Sequence, residues 1–169
     1  MYSKAKIGDH PIHPKLVAFP IAFYILTLAG FIVYQSGNPD IFWYKLAYFC
    51  NFAAVVMALI TAIPGFIDWA FGVPSYSTAK KRGLIHMVLN LSTLALYAIN
   101  AYIIYGTWDS PLLNVGTSIA LTAVGTALLM GAAYFGWEMI ARNKVGVDLS
   151  PEQERLQENY ERKEPPIFH

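Results

Sequence analysis

The run LVAFPIAFYILTLAGFIVY, residues 16–34, holds 19 residues and no formal charge. A hydrocarbon layer about 30 Å thick takes roughly 20 helical residues at a rise of about 1.5 Å each, so this stretch predicts a membrane-crossing helix. Three more such stretches follow at 46–67, 83–105 and 112–137. None carries a charged stripe, so none has the polar face that a helix keeps in a water-soluble bundle. The predicted fold class is all-α: an integral membrane four-helix up-down-up-down bundle, with short connections at 36–41, 71–79 and 106–111 that make consecutive helices antiparallel neighbours.

Composition agrees. Hydrophobic residues make up 56% and charged residues 14% of the chain, with a mean hydropathy of +0.40; soluble proteins average about 45–50% and 25%. A net charge of +1 leaves no nucleic-acid footprint. The single cysteine, Cys50, excludes a disulfide framework and a Cys-x-x-Cys redox motif within the chain. Two regions are expected: a transmembrane domain over 1–142, with spans near 15–36, 43–70, 79–105 and 112–140, and a polar cytoplasmic tail over 143–169. In the tail, Ser150-Pro151-Glu152-Gln153 offers a cap, a first-turn proline and a capping partner for a short helix ending before Pro165-Pro166.

The first apolar run is longer than the ~7–15 residues of a signal-peptide core, so it reads as a retained helix. Lys4, Lys6, Lys15, Lys80, Lys81, Arg82, Arg142 and Lys144 lie beside one set of helix ends, and only Lys45 beside the other. Eight cations against one place both termini in the cytoplasm of an inner-membrane protein. Trp43, Tyr44, Tyr105 and Trp108 are expected at the outer headgroup level, and Trp69 and Trp137 at the inner one. Ala54, Ala58 and Ala62 form one small-residue stripe for helix packing, and Gly116, Ala120, Ala123 and Ala127 a second. Pro20 and Pro64 are expected to kink their helices, the second more sharply because Gly65 follows it.

Polar chemistry gathers at the cytoplasmic end. In His10-Pro11-Ile12-His13-Pro14 each histidine precedes a proline, which biases both backbones toward extended conformations, and Pro14 suits the first turn of a helix. His86 lies about one turn, roughly 6 Å, beyond Lys80-Lys81-Arg82, at a depth where a lone polar group needs a partner. With Asn90, Thr93, Tyr97 and Asn100 it recurs at spacings of four and three, which makes one stripe that must face the bundle. Asp68 ends the second span, and Glu138 with Arg142 ends the fourth.

Four segments together resemble one family. They are the HPIHPKLVAFPI run from His10, the AIPGFIDW run ending at Trp69, the HMVLN run from His86 to Asn90, and KVGVD from Lys144. The resemblance, over about residues 8–148, is to predicted four-helix prokaryotic membrane proteins classed as a domain of unknown function. That family shows a Gly-Gly pair late in its fourth helix where this chain has Gly136-Trp137. Its members also occur beside or fused to Rieske-type and cytochrome-like modules, so the resemblance implies electron transfer and points to His10, His13, Asp68, His86 and Asn90.

Three functional expectations follow. The first is a b-type haem bound without covalent attachment, in an electron-transfer or quinone-linked module. Its ligands would be His13 or His10 with His86, beside Asn90; Phe19, Phe23, Phe66 and Trp69 would form the walls, and Lys15, Lys81 or Arg82 would meet the propionates. The second is a single transition-metal ion held by His10, His13, His86 and Asp68. The third is a cofactor-free accessory subunit packed against a redox or respiratory membrane complex, as an oligomer or alone. No nucleophile and base pair, Gly-rich loop or His-Glu-x-x-His motif is present, so no catalytic activity of its own is expected.

Overall fold

The computed structural model describes residues 3–8, 10–36, 40–147 and 151. The expected tail helix and the Gly37-Asn38-Pro39 turn lie outside the described residues. A two-residue hairpin comes first, β1 (Lys6–Ile7) paired antiparallel with β2 (His10–Pro11), with Gly8 in the turn at φ 60°. Helices α1 (His13–Leu16), α2 (Ala18–Gln35), α3 (Ile41–Ile67), α4 (Thr78–Ile104) and α5 (Gly116–Ala141) follow, and a π-helical turn, Asp68–Gly72, extends α3. The segments His13–Gln35, Ile41–Gly72, Thr78–Ile104 and Gly116–Ala141 are each long and apolar enough to cross a bilayer. α2 packs on α3 and α4 on α5, while α2 against α5 and α3 against α4 close the ring. The chain is an all-α membrane bundle.

Helix ends follow local chemistry. Asp40 Oδ1 accepts the Phe42 N–H at 2.9 Å to start α3, and Ser77 Oγ accepts the Lys80 N–H at 3.1 Å to start α4. The helix assignment treats the two prolines differently. Pro20 has no N–H for the Leu16 carbonyl, and the first span is interrupted there, at Val17, between α1 and α2. α3 instead runs through Pro64 and Gly65 and widens only at Asp68, whose N–H is shared between the Pro64 and Gly65 carbonyls. The fourth span also begins later than expected. Residues 112–115 stay outside α5, held where the Val115 N–H donates to Gln35 Oε1 at 2.8 Å and the Gly116 N–H to Asn114 Oδ1 at 2.8 Å.

Ala54 is buried and Ala58 packs against the same core, so the stripe on α3 faces inward. The stripe expected on α5 faces outward: Gly116, Ala120, Ala123 and Ala127 are exposed, and Ser118, Thr122, Gly125, Leu129 and Ala132 form the buried face. Both faces of α5 are rich in small residues, so size alone did not tell them apart. At the end away from the histidines, Phe31, Tyr34, Tyr44, Ala47, Ile104 and Val115 close the core. Tyr44 belongs to this cluster rather than to the interfacial belt, its hydroxyl 2.5 Å from Thr107 Oγ1.

The polar stripe of α4 points into the bundle. Thr93 Oγ1 donates to the Gly125 carbonyl at 3.1 Å, and Asn100 Nδ2 donates to Asn51 Oδ1 at 3.0 Å. The Tyr97 hydroxyl lies 2.9 Å from the Tyr24 carbonyl and 2.9 Å from Thr126 Oγ1. These bonds tie α4 to α2, α3 and α5 where lipid offers no competing partner.

Candidate functional site: a histidine pair at one end of the bundle

His13 and His86 come together. Their ring centroids are 6.4 Å apart with planes at 87°. His13 opens α1, beneath the hairpin, and its Nδ1 lies 3.0 Å from the Thr61 carbonyl of α3. His86 lies two turns into α4, with Nδ1 2.7 Å from the Ala132 carbonyl of α5. A carbonyl only accepts, so in both rings Nδ1 carries the proton and the neutral ring keeps its lone pair on Nε2. Asn90 Nδ2 approaches His86 Nε2 at 3.2 Å while donating to the His86 carbonyl at 2.8 Å.

A glycine makes room for each ring. A Cβ at Gly65 would lie 2.7 Å from His13 Cε1 and Nδ1, and one at Gly136 would lie 3.1 Å from His86 Cε1. Any side chain at Gly65 would therefore displace the imidazole. Gly136 is the member of the Gly136-Trp137 pair that touches the site, whereas Trp137 is 58% exposed on the outer surface. The sequence reading noted Gly65 only as a helix weakener and gave no sign of the Thr61 and Ala132 carbonyls, since every residue carries one.

The other expected site residues are engaged elsewhere. His10 sits in β2, paired with Ile7, and is exposed. Asp68 Oδ1 accepts the Lys4 N–H at 2.6 Å and the Ala5 N–H at 2.8 Å, and the Ser3 hydroxyl lies 2.9 and 2.8 Å from its two oxygens. Arg82 donates to Asn143 Oδ1 at 2.8 Å and pairs with buried Glu138 at 2.9 Å, and Arg142 takes the other Glu138 oxygen at 2.7 Å. Trp69 donates its indole N–H to the Lys80 carbonyl at 3.0 Å and packs on Gly83; the Lys80 ammonium lies over its ring and donates to the Trp69 carbonyl. Phe19 and Phe66 are more than half exposed on the outer surface and wall nothing, while Phe23 packs against the core around Tyr24. Lys15 and Lys81 are exposed at the same end. Among the described residues, no three of His, Cys, Asp and Glu gather around one point as an ion would require.

These features define a small four-helix membrane protein with two anchored imidazoles meeting near one surface. A family model described as "Predicted membrane protein (DUF2231)" matches residues 9–149, and the chain belongs to that family. No curated protein and no solved structure matches it.

Proposed function

We propose that this protein is a small electron-transfer module of the membrane in which Nε2 of His13 and Nε2 of His86 would hold one b-type haem. The observation that carries the reading is the ring pair itself: 6.4 Å between centroids, with both Nδ1–H groups already donated to carbonyls. Two imidazoles bound to one ion through nitrogens at about 2.0–2.1 Å stand roughly 6 Å apart, centre to centre. A carbonyl on the remote nitrogen is the usual means of fixing a ligating histidine and raising its basicity. A bare ion needs about four donors, and among the described residues only the two imidazoles meet here, with the Asp68 oxygens taken by residues 3–5. A haem carries ring nitrogens of its own and needs only two donors from the protein, and when bound it would supply one-electron transfer at a potential set by ligands and burial. The chain orients the rings through Thr61 and Ala132, gives them room at Gly65 and Gly136, and offers Lys15 and Lys81 to the propionates. Asn90 must leave His86 Nε2 for the ligand to bind.

The eight-to-one cation asymmetry supports an inner-membrane orientation with this site at the cytoplasmic leaflet, where a redox or respiratory complex would exchange electrons with it. A second reading, a cofactor-free accessory subunit, has one observation in its favour: the Asn90 amide already occupies His86 Nε2. Detergent-purified protein from haem-replete cells decides between them. The haem reading expects a Soret band with about one haem per chain, weakened and shifted in His13→Ala or His86→Ala, each of which leaves one imidazole, and unchanged in His10→Ala. Protein that shows no Soret band even after hemin addition leaves the accessory reading.

A further inference from the structure

Thr61, Gly65 and Asp68 follow one another at spacings of four and three, so they share one face of the end of α3. Each grips the N-terminal segment. Thr61 takes the His13 Nδ1–H, Gly65 makes room for the His13 ring, and Asp68 takes the backbone of residues 4 and 5 with the Ser3 hydroxyl. Ala5 connects these contacts: its N–H donates to Asp68 Oδ1 at 2.8 Å, and its carbonyl accepts the Ile12 N–H at 3.0 Å, one residue before His13. The hairpin folds residues 5 and 12 side by side, so whatever holds Ala5 also holds the start of α1. Backbone donors converging on a carboxylate make stronger hydrogen bonds than neutral pairs do.

We infer that Asp68 is the positioning residue for His13: its carboxylate clasps the segment Ser3–Ala5 and, through Ala5 and Ile12, fixes where the His13 imidazole stands opposite His86. This deepens the haem reading and rests on it for its purpose, but the clasp itself is a mechanical property that can be measured without haem. Asp68→Asn keeps the size and loses the charge and half of the accepting capacity; Ser3→Ala removes only the hydroxyl contacts and leaves α3 untouched.

The test uses the full chain in nanodiscs, with Cys50 replaced by Ala and spin labels at Ile7→Cys and Tyr76→Cys, both exposed. A control pair at Leu59→Cys and Leu91→Cys reports on α3 against α4. We expect a narrow distance distribution for the 7–76 pair that broadens about twofold or more in Asp68→Asn, and less in Ser3→Ala, while the control pair stays narrow. Hemin titration of the same variants is expected to lose about 10-fold or more in affinity, as when a partner that orients a metal ligand is removed. That loss should vanish when His13 is already alanine, because the clasp then has no imidazole to place. An unchanged 7–76 distribution in Asp68→Asn overturns the inference, as does an equal hemin loss with and without His13. Wild-type protein that takes up no hemin removes the haem reading and leaves the spin labels to decide the clasp.

Discussion

Gly65 and Gly136 give the two imidazoles unequal room. The Cβ of Gly65→Ala would lie 2.7 Å from the His13 ring, so the imidazole must shift, whereas Gly136→Ala meets His86 at 3.1–3.2 Å. We predict that Gly65→Ala weakens hemin binding about as much as His13→Ala does and that Gly136→Ala weakens it by less than about tenfold, the limit set by a contact that relaxes within a few tenths of an ångström. Hemin titration of the two variants checks this; equal affinities would mean that the rings do not sit where the glycines leave space. Glu138 is a second residue with a sharp expectation. It is 3% exposed and serves two arginines. Glu138→Ala leaves Arg82, at 23% side-chain exposure, without its counter-charge. Removing one partner of a fully buried pair costs about 3–5 kcal/mol, and the partial exposure of Arg82 brings the expected loss to about 2 kcal/mol. Arg142, 62% exposed, gives the contrast, with under about 1 kcal/mol for Arg142→Ala. Thermal unfolding in detergent reads both.

Helices carry the expectations that the sequence supports best, and the exceptions have identifiable causes. Period and length predicted four spans, and the Asp40 and Ser77 side chains cap the starts of α3 and α4. The inward stripe of α4 was legible because Asn, Thr and Tyr at spacings of four and three have no partner in lipid and must find one in the bundle. The outward stripe of α5 was not, because that helix offers small residues on both faces, and the choice depends on the Tyr97 and Thr93 hydroxyls of α4, which donate to the Thr122 and Gly125 carbonyls. Both prolines are buried, yet the helix assignment breaks at Val17 before Pro20, where the chain turns from the hairpin into the bundle, and runs on through Pro64. The hairpin was missed because two residues per strand leave no period to detect, and the chain just before it is held by Asp68, far away in sequence.

On the scale of the whole molecule, topology delivers the site. Up-down-up-down threading brings the start of α1, the end of α3, the start of α4 and the end of α5 to one surface, so His13, Asp68, His86 and Glu138 were expected together from loop lengths alone. Which of them would touch was not, because backbone carbonyls decide it, and these have no signature in a sequence. The proposed orientation can be tested on the same arrangement. A membrane-impermeant thiol reagent should label Tyr76→Cys only from the cytoplasmic side of the membrane and Asp109→Cys only from the opposite side; the reverse pattern would overturn the assignment made from eight cations against one. The remaining claim is that two imidazoles with planes at 87° share one iron. Electron paramagnetic resonance of the ferric, hemin-loaded protein tests it most directly. The account predicts the strongly anisotropic low-spin signal of perpendicular axial imidazoles, converting to high spin in His13→Ala and in His86→Ala but not in His10→Ala; a high-spin signal in the wild type, or a low-spin signal that survives both substitutions, would contradict it.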